Sequence, residues 1–120
     1  MRRQINRIID TFLAGLVTTV IALPLSHPAL AADDAATAVA MVRENGCFKC
    51  HSIDKKKDGP SYRDVAAKYR GKPDGEQRLI THVTSGEKAV FPDGHAEKHK
   101  IIDTKDMNEI KNVVDWILSL

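Results

Sequence analysis

Two thiols and an imidazole stand within five residues, Cys47-Phe48-Lys49-Cys50-His51. A C-x-x-C-H run is the spacing that attaches a haem covalently. Each thiol adds to one vinyl group of the porphyrin, and the next residue, His51, is carried beneath the iron as the proximal ligand. An imidazole binds a metal through one nitrogen while its other N–H donates to a nearby acceptor, which fixes the ring. Three other chemistries compete for the same residues. A thioredoxin-like redox pair needs a βαβ setting, and no strand-rich pattern surrounds the motif. A zinc site needs further Cys or His ligands at suitable spacing, and there is no second Cys pair. A plain disulfide leaves His51 unexplained. The chemistry expected is therefore one covalent haem c on Cys47 and Cys50, with iron on His51.

The N-terminal segment reads as something apart from a folded domain. Arg2, Arg3 and Arg7 make a basic start, Phe12 to Leu23 is apolar, and Pro24, Pro28 and an A-x-A pattern at Ala29 and Ala31 follow. Basic, apolar and then small-residue is the layout of a secretory signal peptide. The apolar run is shorter than the roughly 20 residues that span a bilayer. The expectation is a signal peptide over 1–31, cut after Ala31, and one domain over 32–120; an uncleaved membrane anchor is the competing reading. The whole chain has 18 Lys and Arg against 16 Asp and Glu, and the leader takes three Arg and one Asp with it, leaving 15 against 15. So balanced a domain does not suggest nucleic acid as a partner. Export would normally make two cysteines a disulfide, but here the spacing argues for haem.

The remaining elements have to hold that motif, and their periodicity is helical. Ala38, Val39 and Val42 share a face of a helix running toward Gly46. Ser61 can cap a second helix with Tyr62, Val65, Ala66 and Tyr69 on one side, the i, i+3, i+4, i+7 pattern. Asp74 with Gln77 is a capping-box signal for a third, with Leu79, Ile80 and Val83 inward and Gly86 as its stop. Asp103 or Thr104 opens the last, whose apolar set is Met107, Ile110, Val113, Val114, Ile117 and Leu118. No alternating strand pattern appears, so the fold class expected is all-α. A domain this small usually needs a staple or cofactor, and a buried porphyrin would supply apolar surface.

The stretch from His51 through Asp58-Gly59-Pro60-Ser61-Tyr62 to Tyr69, and the terminal Val113-Val114-Asp115-Trp116-Ile117-Leu118-Ser119-Leu120, resemble small bacterial class I cytochromes of the c551/c8 type. The likeness runs from the helix before Cys47 to Leu120. It implies about four helices wrapped around one haem, with Gly59-Pro60 over the proximal face and the Pro60 carbonyl accepting the His51 N–H. That family usually places a methionine as second iron ligand in a Pro-rich loop before the last helix, and this chain departs from it. Beyond the leader the methionines are Met41 and Met107, which read as core packing. The loop instead runs Val90-Phe91-Pro92-Asp93-Gly94-His95-Ala96-Glu97-Lys98-His99-Lys100-Ile101-Ile102. A histidine is the expected sixth ligand. His99 is favoured because Ile101 and Ile102 would press it against the core, and His95 is the alternative. The two are four apart and would share a face if this stretch were a helical turn. His82 reads as a residue on a helix flank.

Two imidazoles give a lower reduction potential than an imidazole with a thioether. The function expected is a periplasmic one-electron carrier, not an enzyme, working as a monomer with protein redox donors and acceptors and without membrane insertion once the leader is gone. The competing readings are a haem-based sensor of NO or CO, or an electron-transfer subunit of a larger redox enzyme. Lys55-Lys56-Lys57 with Lys68, Arg70 and Lys72 reads either as a patch that steers acidic partners or as an ordinary solvated face. The intact mass of the exported protein should equal residues 32–120 plus one haem; a product retaining Arg2 and Arg3 would mean an anchor instead.

Overall fold

The computed structural model describes residues 31–120, so the expected leader and its cleavage site fall outside the described residues apart from Ala31 itself. Four helices carry the fold: α1 (Ala32–Glu44), α2 (Tyr62–Tyr69), α3 (Gly75–Ser85) and α4 (Met107–Ser119). A single 3₁₀ turn at Cys47–Lys49 follows α1, and a short hairpin of β1 (Lys88–Val90) and β2 (Ala96–Lys98) lies between α3 and α4.

Helix α4 is the hub, packing on α1, α2 and α3. That is why its apolar stripe is wide: Ile110, Val113, Val114, Trp116 and Ile117 are all buried. Trp116 joins the expected set because a helix touching three others buries more than one face. Met107 leaves it. It is the first residue of the helix and half exposed, so it is not core packing. The helix also begins later than Asp103 or Thr104. Asp106 is the N-cap, its carboxylate accepting from the Asn108 N–H at 2.8 Å, while the Thr104 hydroxyl accepts from the Asp106 N–H and donates to Glu109. At the other end α4 has no basic residue of its own in its last turn. Two guanidinium groups near or on α2 serve instead: Arg63 donates to the Leu120 carbonyl at 2.9 Å and Arg70 to the Leu118 carbonyl at 2.8 Å. These are carbonyls that a helix end leaves without partners.

The caps of the other helices follow their sequences in two cases of three. Gly46, after α1, is left-handed at φ 71°, which turns the chain directly into the cysteine motif. Ser61 accepts from the Asp64 N–H at 3.1 Å and opens α2. Asp74 makes no side-chain cap on α3. An N-cap side chain reaches its target from extended backbone, whereas Asp74 sits at φ −107°, ψ 4° after a tight turn from Lys72.

The hairpin is the one departure from an all-helical reading. Lys88, Ala89 and Val90 pair antiparallel with Lys98, Glu97 and Ala96. Its turn closes through Gly94 N–H to the Phe91 carbonyl, with Gly94 at φ 90°, so the Asp93-Gly94 turn signal acts as a strand connection. Beyond it, Ile102 is buried and bonds the Val83 carbonyl through its N–H at 2.9 Å, but Ile101 is 45% exposed. The expected pair of anchors is therefore one residue. Ile102→Ala should cost about 2–5 kcal/mol in denaturant unfolding of the haem-loaded protein, and Ile101→Ala less than about 1.5; equal losses would contradict this packing.

Candidate haem and iron site

The cysteine motif is held from both sides. After α1 the 3₁₀ turn brings the Cys50 and His51 N–H groups back onto the Cys47 carbonyl. The chain after His51 then loops over and returns, with Gly59 N–H on the Cys50 carbonyl at 2.8 Å and Lys57 Nζ on the Phe48 carbonyl at 2.6 Å. Cys47 and Cys50 are free thiols, both half-buried. Burial pushes the Cys47 thiol above its ordinary range.

His51 is fixed by three contacts. Its Nδ1–H donates to the Pro60 carbonyl at 2.7 Å, the acceptor that the Gly59-Pro60 pair implies. Its ring stacks on Tyr62 with centroids 5.2 Å apart and planes 20° from parallel. Tyr62 in turn meets Phe48 and Trp116 edge-on, which ties the ring to α4. Gly59 closes the third side, where an added Cβ would stand 2.5 Å from His51 Cε1. With Nδ1 committed, Nε2 is the nitrogen left to meet a metal. Burial lowers the His51 pKa, the Pro60 carbonyl opposing it, so the ring is neutral at pH 7.

His99 comes to the same place from the other side of the fold. Its ring centroid lies 6.0 Å from that of His51, with 60° between the planes. Its backbone N–H is held by the Glu87 carbonyl at 2.9 Å. Its Nδ1 is buried without a partner, which leaves Nε2 for the open side. Burial, then repulsion from His82 and His51, pushes its pKa down to about 4, so at neutral pH one ring nitrogen keeps a free lone pair.

His95 is not part of this arrangement. It sits on the hairpin turn, bonded through Nδ1 to Asp93 and stacked on Phe91 with centroids 4.3 Å apart. Because 96–98 is strand rather than helical turn, four residues separate it from His99 by about 13 Å of extended chain. The imidazole beside His99 is His82 of α3, with ring centroids 4.0 Å apart. Sequence periodicity placed it on a flank and gave it no role. The signal that could have found it is the spacing His82-x₃-Gly86-Glu87, a helix end folding back on its own last turn.

Two metal–imidazole bonds of about 2 Å, plus a ring radius at each end, would span about 6 Å between centroids, close to the separation of these two rings. The buried, unpartnered Nδ1, the two free thiols beside His51 and the nearness of the two rings would suit a covalently attached haem, with Cys47 and Cys50 to hold it and imidazole nitrogens to meet its iron.

The family model described as cytochrome c matches residues 35–120. The chain belongs to the cytochrome c family. Its curated relatives include cytochrome c-551 of Allochromatium vinosum, 34% identical over 82 residues, which are 68% of this chain and 84% of that protein. Cytochrome c-552 of Hydrogenobacter thermophilus is 32% identical over 67% of this chain and 78% of its own length. Among solved structures, the class 1 cytochrome MtoD of Sideroxydans lithotrophicus ES-1 is 64% identical with a TM-score of 0.68, covering 72% of this chain and 95% of that one. The chain is thus a small class I cytochrome c that binds one covalent haem c and carries electrons between redox partners.

Gly59→Ala has to push the His51 ring out of its seat. The haem-loaded variant should lose about 1–3 kcal/mol of stability to denaturant, the usual cost of overpacking. An unchanged unfolding midpoint would contradict so close an approach.

Proposed function

We propose that Cys47 and Cys50 hold the haem, that His51 and His99 supply its two axial nitrogens, and that the protein is a periplasmic one-electron carrier of lowered reduction potential. The observation that carries this reading is the 6.0 Å between the His51 and His99 rings, each with its Nδ1 turned into the protein. The bound haem supplies an iron that alternates between ferric and ferrous.

The chain's part is to keep that iron's surroundings alike in both states. His51 cannot swing, because Pro60, Tyr62 and Gly59 confine it. His99 is neutral at pH 7, so protons do not compete for its free nitrogen. A rigid pair of ligands means little rearrangement when one electron arrives or leaves, which suits a carrier. Methionine ligation would raise the potential, and the two methionines beyond the leader do not offer it. Met41 lies on α1, packed against the core, and Met107 opens α4, facing outward. A filled sixth position also argues against gas sensing as the primary role. The basic, apolar, small-residue order of residues 1–31 supports export, cleavage after Ala31 and action outside the cytoplasm. No helix among the described residues is long and apolar enough to cross a membrane.

The oxidised protein should lack the near-infrared sulfur-to-iron band and give the paramagnetic resonance of bis-imidazole haem. His99→Ala combined with His82→Ala, so that the neighbouring imidazole cannot step in, should become high-spin or water-bound and acquire CO affinity. His95→Ala should remain low-spin and unreactive toward CO. A methionine-type band in the wild type, or a low-spin double variant, would overturn the ligand assignment.

A further inference from the structure

The last turn of α3 and the first residue beyond its stop form a chain of contacts that ends on the His99 ring. Gly86 takes the left-handed conformation, at φ 64°, and sends the backbone back past the helix it has just left. Glu87 therefore stands beside both His82 and Arg78. Its carboxylate accepts from His82 Nδ1 and from the Arg78 guanidinium at 2.7 Å. Those two donors hold the Glu87 carboxyl below its usual range, His82 first. Its backbone carbonyl accepts the His99 N–H at 2.9 Å. One residue thus grips His99 by its main chain and, through His82, by its ring.

The His82 ring lies 4.0 Å from the His99 ring, tilted by 41°. At that spacing the rings already touch, so rotation of His99 about its Cβ–Cγ bond would drive it against His82. His99 lacks what His51 has, since its own Nδ1 has no hydrogen-bond partner to lock the ring. A metal-bound imidazole is ordinarily held by such a bond. Among the described residues its ring neighbours are His51 and His82, and His82 is itself locked by Glu87.

We propose that His82, oriented by Glu87 and Arg78, is a positioning residue that sets the plane of the His99 ring by contact. This rests on His99 being the distal ligand. The mutual angle of two axial imidazoles, 60° in this fold, fixes how the iron d orbitals split and so determines the largest g-value of the ferric protein. Loosening the stop also lets the distal nitrogen leave more often.

The test uses the ferric haem-loaded protein, read by electron paramagnetic resonance and by the rate at which added cyanide displaces the distal ligand. His82→Ala and Glu87→Ala should each remain low-spin, shift the largest g-value in the same direction and speed cyanide entry about tenfold, the scale of losing an outer partner of a ligand. The double variant should do no more than either single change, since both break one chain of contacts. Glu87→Gln, which keeps the acceptor oxygen and the backbone carbonyl, should restore both readings. Wild-type g-values and cyanide rates in His82→Ala would overturn the positioning role and leave the ligand assignment standing. A low-spin spectrum in His99→Ala with His82→Ala would instead remove the ligand assignment itself.

Discussion

The proposed site needs two rigid rings, brought from separate segments of the domain, to stand about one metal's width apart. In this fold their centroids are 6.0 Å apart. The spacing is unforgiving, because an imidazole has no internal torsion with which to take up slack. His51 arrives on the turn that follows α1, and His99 just past β2, the second strand of the hairpin after α3. Nothing in the local sequence of either segment can set their separation. It is set by α4, which packs on both α1 and α3 and so fixes the distance between the elements that deliver the two rings.

The two sides achieve rigidity by different means. On the proximal side everything is local: the motif, the Gly59-Pro60 pair and Tyr62 lie within sixteen residues of one another. Tyr62 then links the ring to Trp116, buried in the middle of the core. The distal side has no comparable local frame. His99 leaves a hairpin whose residues are mostly exposed, and its anchoring comes from Glu87 before it and from Ile102 after it, the latter pinned to Val83. Both anchors belong to or touch α3. That helix therefore does for His99 what the Pro60 loop does for His51, at greater distance along the chain.

This difference explains what the sequence made legible. Covalent chemistry at Cys47, Cys50 and His51 is encoded in adjacent residues, and the partner of His51 lies nine positions away. Helices with strong periodicity and a clear end signal, α2 with its N-cap Ser61 and α3 with its stop Gly86, could be read directly. Features that depend on the backbone's path could not. Asp74 has the right side chain for a cap but the wrong φ and ψ. The start of α4 moved to Asp106 because Thr104 bonds forward to Glu109 rather than opening the helix. The hairpin was hidden because β1 and β2 are three residues each, too short for alternation to register. His82 was passed over for a related reason: its neighbour His99 is seventeen positions on, and periodicity reports only on the helix that carries a residue.

Replacing a thioether by an imidazole at the sixth position changes what the surrounding fold must supply. A methionine sulfur sits on a flexible chain and can find the iron from a loosely held loop. An imidazole has to be delivered with its plane already chosen, since two rings can meet one metal at any mutual angle and each angle gives a different electronic state. A loop that only brings His99 within reach would leave that angle free. The strand pairing of Lys88 with Lys98, one residue before His99, fixes the backbone at the point of delivery. The Glu87 carbonyl, one residue before Lys88, bonds His99 in the next step of the same ladder. In this view the hairpin is what a histidine ligand demands of a segment that a methionine could occupy as plain loop.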